Sequence, residues 1–190
     1  VEAALQRKYG KFGNLSFQYR VSAKTATMKA RVDYELEVED WFIKQALATY
    51  LRTFPGVPEY WAEAITIGKE NGFAETLAGR RVQIKRDWAG QDKWPNESTA
   101  INYPIQGTGG DQKYLALAVA RNHLNKFGGI FYFELHDGLF FIFPNDQVAK
   151  AVPFFKNLLS TLPYKAAWGL DLPIAFPVDG VQGPTWGDLR

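Results

Sequence analysis

Two nearly continuous apolar runs, Phe131-Tyr132-Phe133-Glu134-Leu135 and Leu139-Phe140-Phe141-Ile142-Phe143, are separated only by His136-Asp137-Gly138. Aromatic and aliphatic runs of this length, joined by a short polar turn, fold as a β-hairpin. Strands this apolar predict a sheet buried on both faces, so other elements have to cover it. Helical patterns supply the cover. Residues 2 to about 20 read as a helix, although Gly10 and Gly13 lower its propensity. Lys24 to Val32 and Val38 to about Thr53 continue as helices, the second with Trp41, Phe42, Ala46, Leu47 and Tyr50 at helical spacing.

Phe54-Pro55-Gly56-Val57-Pro58 breaks the pattern, and Glu59 to Lys69 resumes it until Asn71-Gly72, a left-handed stop. Phe73 to Ile84 reads as a short hairpin around Ala78-Gly79-Arg80. Arg86 to Ser98 is polar and turn-rich with Trp88 and Trp94 embedded, and reads as a surface loop. A helix is expected from Thr108 to the stop at Phe127-Gly128-Gly129, and a last one from the Pro144-Asn145-Asp146 cap to about Leu159. The tail from Pro163 is punctuated by Pro and Gly, with one strand-like run, Ile174 to Val178. Helices first and a hairpin with flanking helices afterwards make the class α+β.

Composition narrows the function classes. With 190 residues, 46% apolar and 22% charged, the chain is long and apolar enough for one domain or two closely packed lobes. The 15% aromatic content fits a core-filling role. There is no cysteine, which excludes disulfides, thiolate metal sites and cysteine nucleophiles, and two histidines are too few for a His-rich zinc site. A net charge of +2 permits a polyanionic partner without demanding one. No apolar run approaches the ~20 residues that span a bilayer, and the first residues lack the basic-then-apolar order of a signal peptide. No membrane role, no secretion and a cytoplasmic setting are the expectations. The charged, helical start without Met reads as part of something longer.

Three constellations carry possible chemistry. At the hairpin end, Asp137 is a carboxylate on a rigid support, which suits a divalent metal; equally, Asp137-Gly138 is a common turn dipeptide. On the first helix, Arg7, Lys11, Leu15 and Tyr19 stand four residues apart and form a slowly drifting stripe. Two cations, an apolar group and a phenol match phosphates followed by sugar and base, while a solvated basic face is the plain alternative. In the third, Ala100 to Asp111, Asn102 and Gln106 lie in an otherwise apolar entry to a helix, either as structural amides or as readers of minor-groove acceptors. The glycines from Gly107 to Gly110 lack a following Gly-Lys-Ser/Thr, so a P-loop is excluded.

Taken in order, these elements resemble the family A DNA polymerases of the bacterial polymerase I type. Arg7-x3-Lys11-x2-Asn14-Leu15-x3-Tyr19 is similar to the nucleotide-binding helix of the fingers, motif B. Phe54-Pro55-Gly56-Val57-x2-Tyr60 and Glu75-Thr76-x2-Gly79-Arg80-Arg81 resemble the family's connectors. Asn102-x-Pro104-Ile105-Gln106-Gly107-Thr108-x2-Asp111 is similar to its primer-template-contacting segment, Leu135-His136-Asp137 to motif C of the palm, and Gly183-x2-Trp186 to its C-terminal end.

Departures accompany the resemblance. Gly138 stands where motif C continues with Glu. Leu15 takes a position usually held by Phe or Tyr, a variant associated with phage and environmental viral members. Ser98 replaces a basic residue four places before Asn102. Motif A, which carries the second metal-binding Asp, has no counterpart in these residues.

The resemblance implies a helical fingers part at 1–75 and a distal palm part with the motif C hairpin at 76–190. The implied reaction is template-directed nucleotidyl transfer to a primer 3′-hydroxyl by two-metal chemistry, with the second carboxylate outside this chain and the chain alone inactive. Asp137 would hold two Mg²⁺ ions. Lys11 and Arg7 would neutralise the triphosphate, and Leu15 and Tyr19 would line the sugar–base pocket. Asn102, Gln106, His136 and Arg80 would face primer-template DNA. The partners implied are that DNA, the dNTPs and an N-terminal palm and thumb part. Two other readings stand beside this one: a non-catalytic, nucleic-acid-binding relic or subunit, and a fragment of a single-subunit RNA polymerase. The second of these shares the His-Asp hairpin but fits Asn102 to Asp111 less well.

Overall fold

The computed structural model describes residues 2–84 and 93–189. The contacts group into two compact units, Val1–Glu75 with Arg80–Ile105, and Thr76–Gly79 with Gln106–Arg190. The class is α+β, as expected: seven α-helices and two antiparallel hairpins among the described residues.

The first unit contains α1 (Glu2–Phe17), α2 (Ala23–Tyr34), α3 (Asp40–Thr53) and α4 (Gly56–Asn71). It also holds the hairpin strands β1 (Phe73–Glu75) and β2 (Arg81–Gln83) and the start of α5 (Lys93–Leu124). Ser22 caps α2 by accepting the Thr25 N–H at 3.1 Å, satisfying a donor the helix itself leaves orphaned. At Gly72 (φ +73°) the chain turns left-handed, and its N–H closes α4 on the Gly68 carbonyl at 3.0 Å. Phe12, Phe17, Ala26, Ala30, Leu36, Val38 and Ile43 pack as the main core, and Ala74, Ile84 and Ala100 as a smaller one.

The first helix is shorter than its pattern. It ends at Phe17, and Arg20 takes a left-handed conformation (φ +59°), so Tyr19 lies beyond the helix. The opposite error occurs at α5. The expected loop at 86–98 falls partly outside the described residues. Lys93 to Ser98, however, already belong to α5, with Asn96 and Glu97 buried. The helix thus begins well before Thr108, and Asn102 lies in its interior. Pro104 lacks the N–H that would bond the Ala100 carbonyl and costs about 3 kcal/mol at such a position. Burial of Ala100 and Ile101 at 1% and 0% exposure offsets that local preference for a break.

The second unit takes the rest of α5, then β3 (Ile130–Leu135), β4 (Gly138–Ile142), α6 (Asn145–Ser160) and α7 (Tyr164–Trp168). Ala116, Ala120, Leu124, Phe127, Ala151, Phe155, Leu159 and Leu162 form its core, with Phe131, Leu139, Phe141 and Phe143 packed against it. The hairpin is only partly covered: the core packs on Phe131, Leu139 and Phe141, and Trp186 lies on Phe133 and Phe140. Ile130, Tyr132, Leu135 and Ile142 are exposed within this chain, contrary to the expectation of a fully buried sheet. Ile174 to Val178 forms no strand: the backbone there finds no ladder partner. No helix among the described residues is long and apolar enough to cross a membrane.

Gly129 joins α5 to β3, and a Cβ there would run into the Phe143 ring. That ring packs on Phe127 and Phe155, at centroid distances of 6.5 and 5.3 Å, so it has little room to yield. Gly129→Ala is therefore expected to destabilise the fold by about 1–3 kcal/mol. A lowered urea midpoint with an unchanged m-value would show it.

Candidate functional site

The candidate residues fall into the two units. On α1, Arg7, Lys11 and Leu15 form an exposed row; neither cation makes an ion pair among the described residues. The row exists because the opposite face carries Phe12, Ser16 and Phe17 into the core, which forces the i+4 series of 7, 11 and 15 outward. Tyr19 is half-buried past the helix end, off the stripe.

Tyr60 is a residue the sequence pattern did not single out as part of a site. Its hydroxyl donates to the Ile101 carbonyl at 2.7 Å, tying α4 to α5 beside Asn102. Burial, with smaller contributions from Tyr19 and Glu63, pushes its pKa up to about 12, so it stays a neutral donor at any physiological pH. Trp61 donates to the Gln18 carbonyl at 2.7 Å and pins the segment that carries Tyr19. Asn102 donates through Nδ2 to Ser98 Oγ at 3.0 Å, while its Oδ1 is buried without a hydrogen-bond partner among the described residues. Arg80 is exposed at the hairpin, its guanidinium 5.4 Å from the Tyr103 ring centroid.

In the second unit, Gln106 is exposed on α5, and His136 and Asp137 are exposed at the end of the β3–β4 hairpin. The register pairs Leu135 with Gly138, so His136 and Asp137 are the two turn residues. This corrects the turn-dipeptide reading of Asp137-Gly138: Gly138 is the first residue of β4. Its lack of a side chain matters for space instead, since a Cβ there would lie 3.1 Å from the Phe140 ring and 3.3 Å from the Leu135 carbonyl oxygen. The Glu that motif C carries at this position would not fit without a shift.

The strain of the turn is carried by His136, at φ +52°, whereas Asp137 has no positive φ. A left-handed non-glycine residue costs about 1–3 kcal/mol and persists only where its surroundings hold it. One such holder is Lys113, which no local sequence pattern marks, because its partners lie on a hairpin distant in sequence. From α5 its ammonium pairs with Glu134 at 2.9 Å and donates to the His136 carbonyl at 3.1 Å, its side chain only 16% exposed. On the opposite part of the hairpin, Trp186 of the C-terminal Gly183-x2-Trp186 segment lies 5.0 Å from Phe133 and 4.6 Å from Phe140, ring to ring.

Asp137 is an exposed carboxylate, a hard oxygen donor of the kind Mg²⁺ takes. Among the described residues no three His, Cys, Asp or Glu side chains gather as a metal cluster. A single protein carboxylate nonetheless fits the ion's habit of binding through one or two carboxylates, water and substrate phosphates.

The family model described as DNA polymerase family A matches residues 3–188. DNA polymerase I of Chloroflexus aurantiacus is 26% identical over 97% of this chain, which covers 19% of that protein. The thermostable DNA polymerase I of Thermus filiformis is 28% identical over 97% of this chain and 21% of its own length. The chain thus spans about a fifth of these relatives. Among solved structures, the POL domain of Pol1 from M. smegmatis, in complex with DNA primer-template and dNTP, superposes with a TM-score of 0.69. That likeness covers 83% of this chain and 27% of that one at 19% identity, and it concerns the fold.

Proposed function

Since this chain belongs to DNA polymerase family A, we propose that it supplies the fingers and distal-palm part of a template-directed nucleotidyl transferase. The observation that carries the reading is the family match over residues 3–188, with motif C's His136-Asp137 at the exposed end of a hairpin. In the proposed reaction the primer 3′-hydroxyl attacks the α-phosphate of a dNTP and pyrophosphate leaves. Protein groups in such transfers mainly position the reactants and stabilise charge.

Arg7 and Lys11, exposed in a row on α1, would meet the triphosphate. The guanidinium offers a planar fork for two phosphate oxygens and the ammonium a compact point charge. Leu15, next along the row and 46% exposed, would lie against the sugar. Tyr19 would border the base, with the residue before it pinned by the Trp61 bond to the Gln18 carbonyl. Asn102, Gln106, Arg80 and His136 would face primer-template DNA. Asp137 would hold Mg²⁺, which when bound supplies charge neutralisation for the attacking and leaving oxygens. A second carboxylate is needed from outside these residues, so the chain by itself is expected not to extend a primer. Leu15 in place of Phe or Tyr is the feature that supports a phage or viral source, and replication inside an infected or bacterial cell follows from that.

Nucleotide titration tests the phosphate-binding role, in an enzyme in which this chain is completed by the remaining palm and thumb. Lys11→Ala should weaken apparent dNTP affinity by about tenfold or more, the worth of a charge-assisted contact of ~1.5–3 kcal/mol. Arg7→Lys should also weaken it, because the two-pronged contact is lost. Unchanged affinity in both variants would return the row to an ordinary solvated face. DNA binding without any nucleotide dependence would favour a non-catalytic, nucleic-acid-binding subunit.

A further inference from the structure

We propose that Lys113 is a positioning residue: it latches the peptide between His136 and Asp137 in one of two orientations and so aims the Asp137 carboxylate. The value of that aim for catalysis rests on the metal role proposed above; the latch itself rests on geometry.

Two-residue hairpin turns come in two favoured forms. In type I′ both central residues have positive φ, and in type II′ only the first does. Here His136 is positive and Asp137 is not, the type II′ pattern. The two forms interconvert by a flip of the middle peptide, which carries the His136 carbonyl and the Asp137 N–H. That flip changes the sign of φ at Asp137 and re-aims its side chain while leaving both strands in register.

Neither residue prefers the observed form. Type II′ calls for Gly at its first central position, and Asp is among the residues that accept the positive φ of type I′. Local preference therefore leans toward the flipped turn, and something outside the turn has to oppose it. The Lys113 ammonium accounts for the outcome: it donates to the His136 carbonyl oxygen at 3.1 Å, an oxygen that the flip would turn away. A second bond, to Glu134 of β3 at 2.9 Å, fixes the ammonium against the hairpin, and the neighbouring Tyr114 ring lies 5.2 Å from it. Its carrier, α5, is anchored by Ala116 and Ala120 in the core, so the latch is held from a rigid element.

The test uses NMR of the chain with Lys113→Met, which keeps a long helix-compatible stem, and Lys113→Arg, which keeps charge and donors. The intraresidue NH–Hα NOE of Asp137, strong only when φ is positive, reports the flip. Line broadening of the Asp137 amide by added Mn²⁺ reports metal capture there. In Lys113→Met the turn equilibrium is expected to move by about tenfold toward positive φ, the worth of one charge-assisted hydrogen bond. The Mn²⁺ midpoint should rise with it, Lys113→Arg should restore both readouts, and amide protection along Phe131–Phe133 and Phe140–Ile142 should stay unchanged.

Identical Asp137 signals in wild type and Lys113→Met, with those strands protected, would overturn the latch. So would equal loss of protection throughout the hairpin in both variants, since Lys113 would then be a general support. Asp137→Asn separates the two ideas: Mn²⁺ broadening that survives this change overturns the metal role, while the NOE still decides the latch.

Discussion

Replacing Asp137 by Asn is expected to abolish nucleotidyl transfer in the completed enzyme, by at least about a hundredfold or ~2.7 kcal/mol in barrier. Affinity for primer-template should stay within about twofold. The change is close to isosteric and alters neither the positive φ at His136 nor the Leu135–Gly138 pairing, so the hairpin keeps its shape. What disappears is the negative charge of a hard oxygen ligand, and a neutral amide oxygen is a poor replacement for Mg²⁺. Loss of turnover with retained DNA binding is the signature of an interaction made in the transition state only. Primer extension at saturating dNTP, with binding measured in parallel, checks both halves. Activity within about tenfold (~1.4 kcal/mol) would mean that Asp137 serves the turn and not the reaction.

Much of this arrangement is legible in the residues, and the parts that are not share a cause. Helices α2 to α4 and both hairpins follow from periodicity and from glycine stops such as Gly72, because there the local preferences and the packing agree. The α1 row follows from i+4 spacing as far as Leu15. Tyr19 falls off it because Arg20 turns left-handed to reach a partner on α5, a long-range contact with no local mark. In α5 the local signals point the wrong way: Pro104, Gly107, Gly109 and Gly110 argue for a break, and only burial of Ala100, Ile101, Ala116 and Ala120 reveals one helix. Lys113 carries no local mark either, since its partners Glu134 and the His136 carbonyl are supplied by the β3–β4 hairpin. The candidacy of Asp137 rests on its chemistry and on its place at the exposed end of the hairpin. The turn form is not legible locally, because Asp-Gly favours a different turn and the bond to the His136 carbonyl comes from α5.

Arg20→Ala is the substitution expected to cost the first unit most of its stability. Arg20 Nη1 donates to Glu97 Oε2 at 2.6 Å, joining the end of α1 to the second turn of α5. The two sides of this pair differ: the Arg20 side chain is 39% exposed and that of Glu97 only 7%. Loss of the arginine therefore leaves a carboxylate with most of its water removed and its main counter-charge gone. Breaking a fully buried pair from one side costs about 3–5 kcal/mol, and with Arg20 partly exposed the expected loss lies at or just below the low end of that range, against a typical total of about 5–15 kcal/mol. Alanine also keeps the unfavourable left-handed backbone at this position without the ion pair that holds it there. Amide exchange of α2 and α3, read residue by residue, should speed up by about a hundredfold or more. Adding Glu97→Gln to Arg20→Ala should recover a good part of the loss, because the charge that lacked a partner is then removed rather than stranded. A cost below about 1 kcal/mol for Arg20→Ala, with no recovery in the double variant, would place the pair with ordinary exposed ion pairs. The segment that follows α1 would then be held by the Trp61 bond to the Gln18 carbonyl at 2.7 Å, and α4 to α5 by the Tyr60 bond to the Ile101 carbonyl at 2.7 Å.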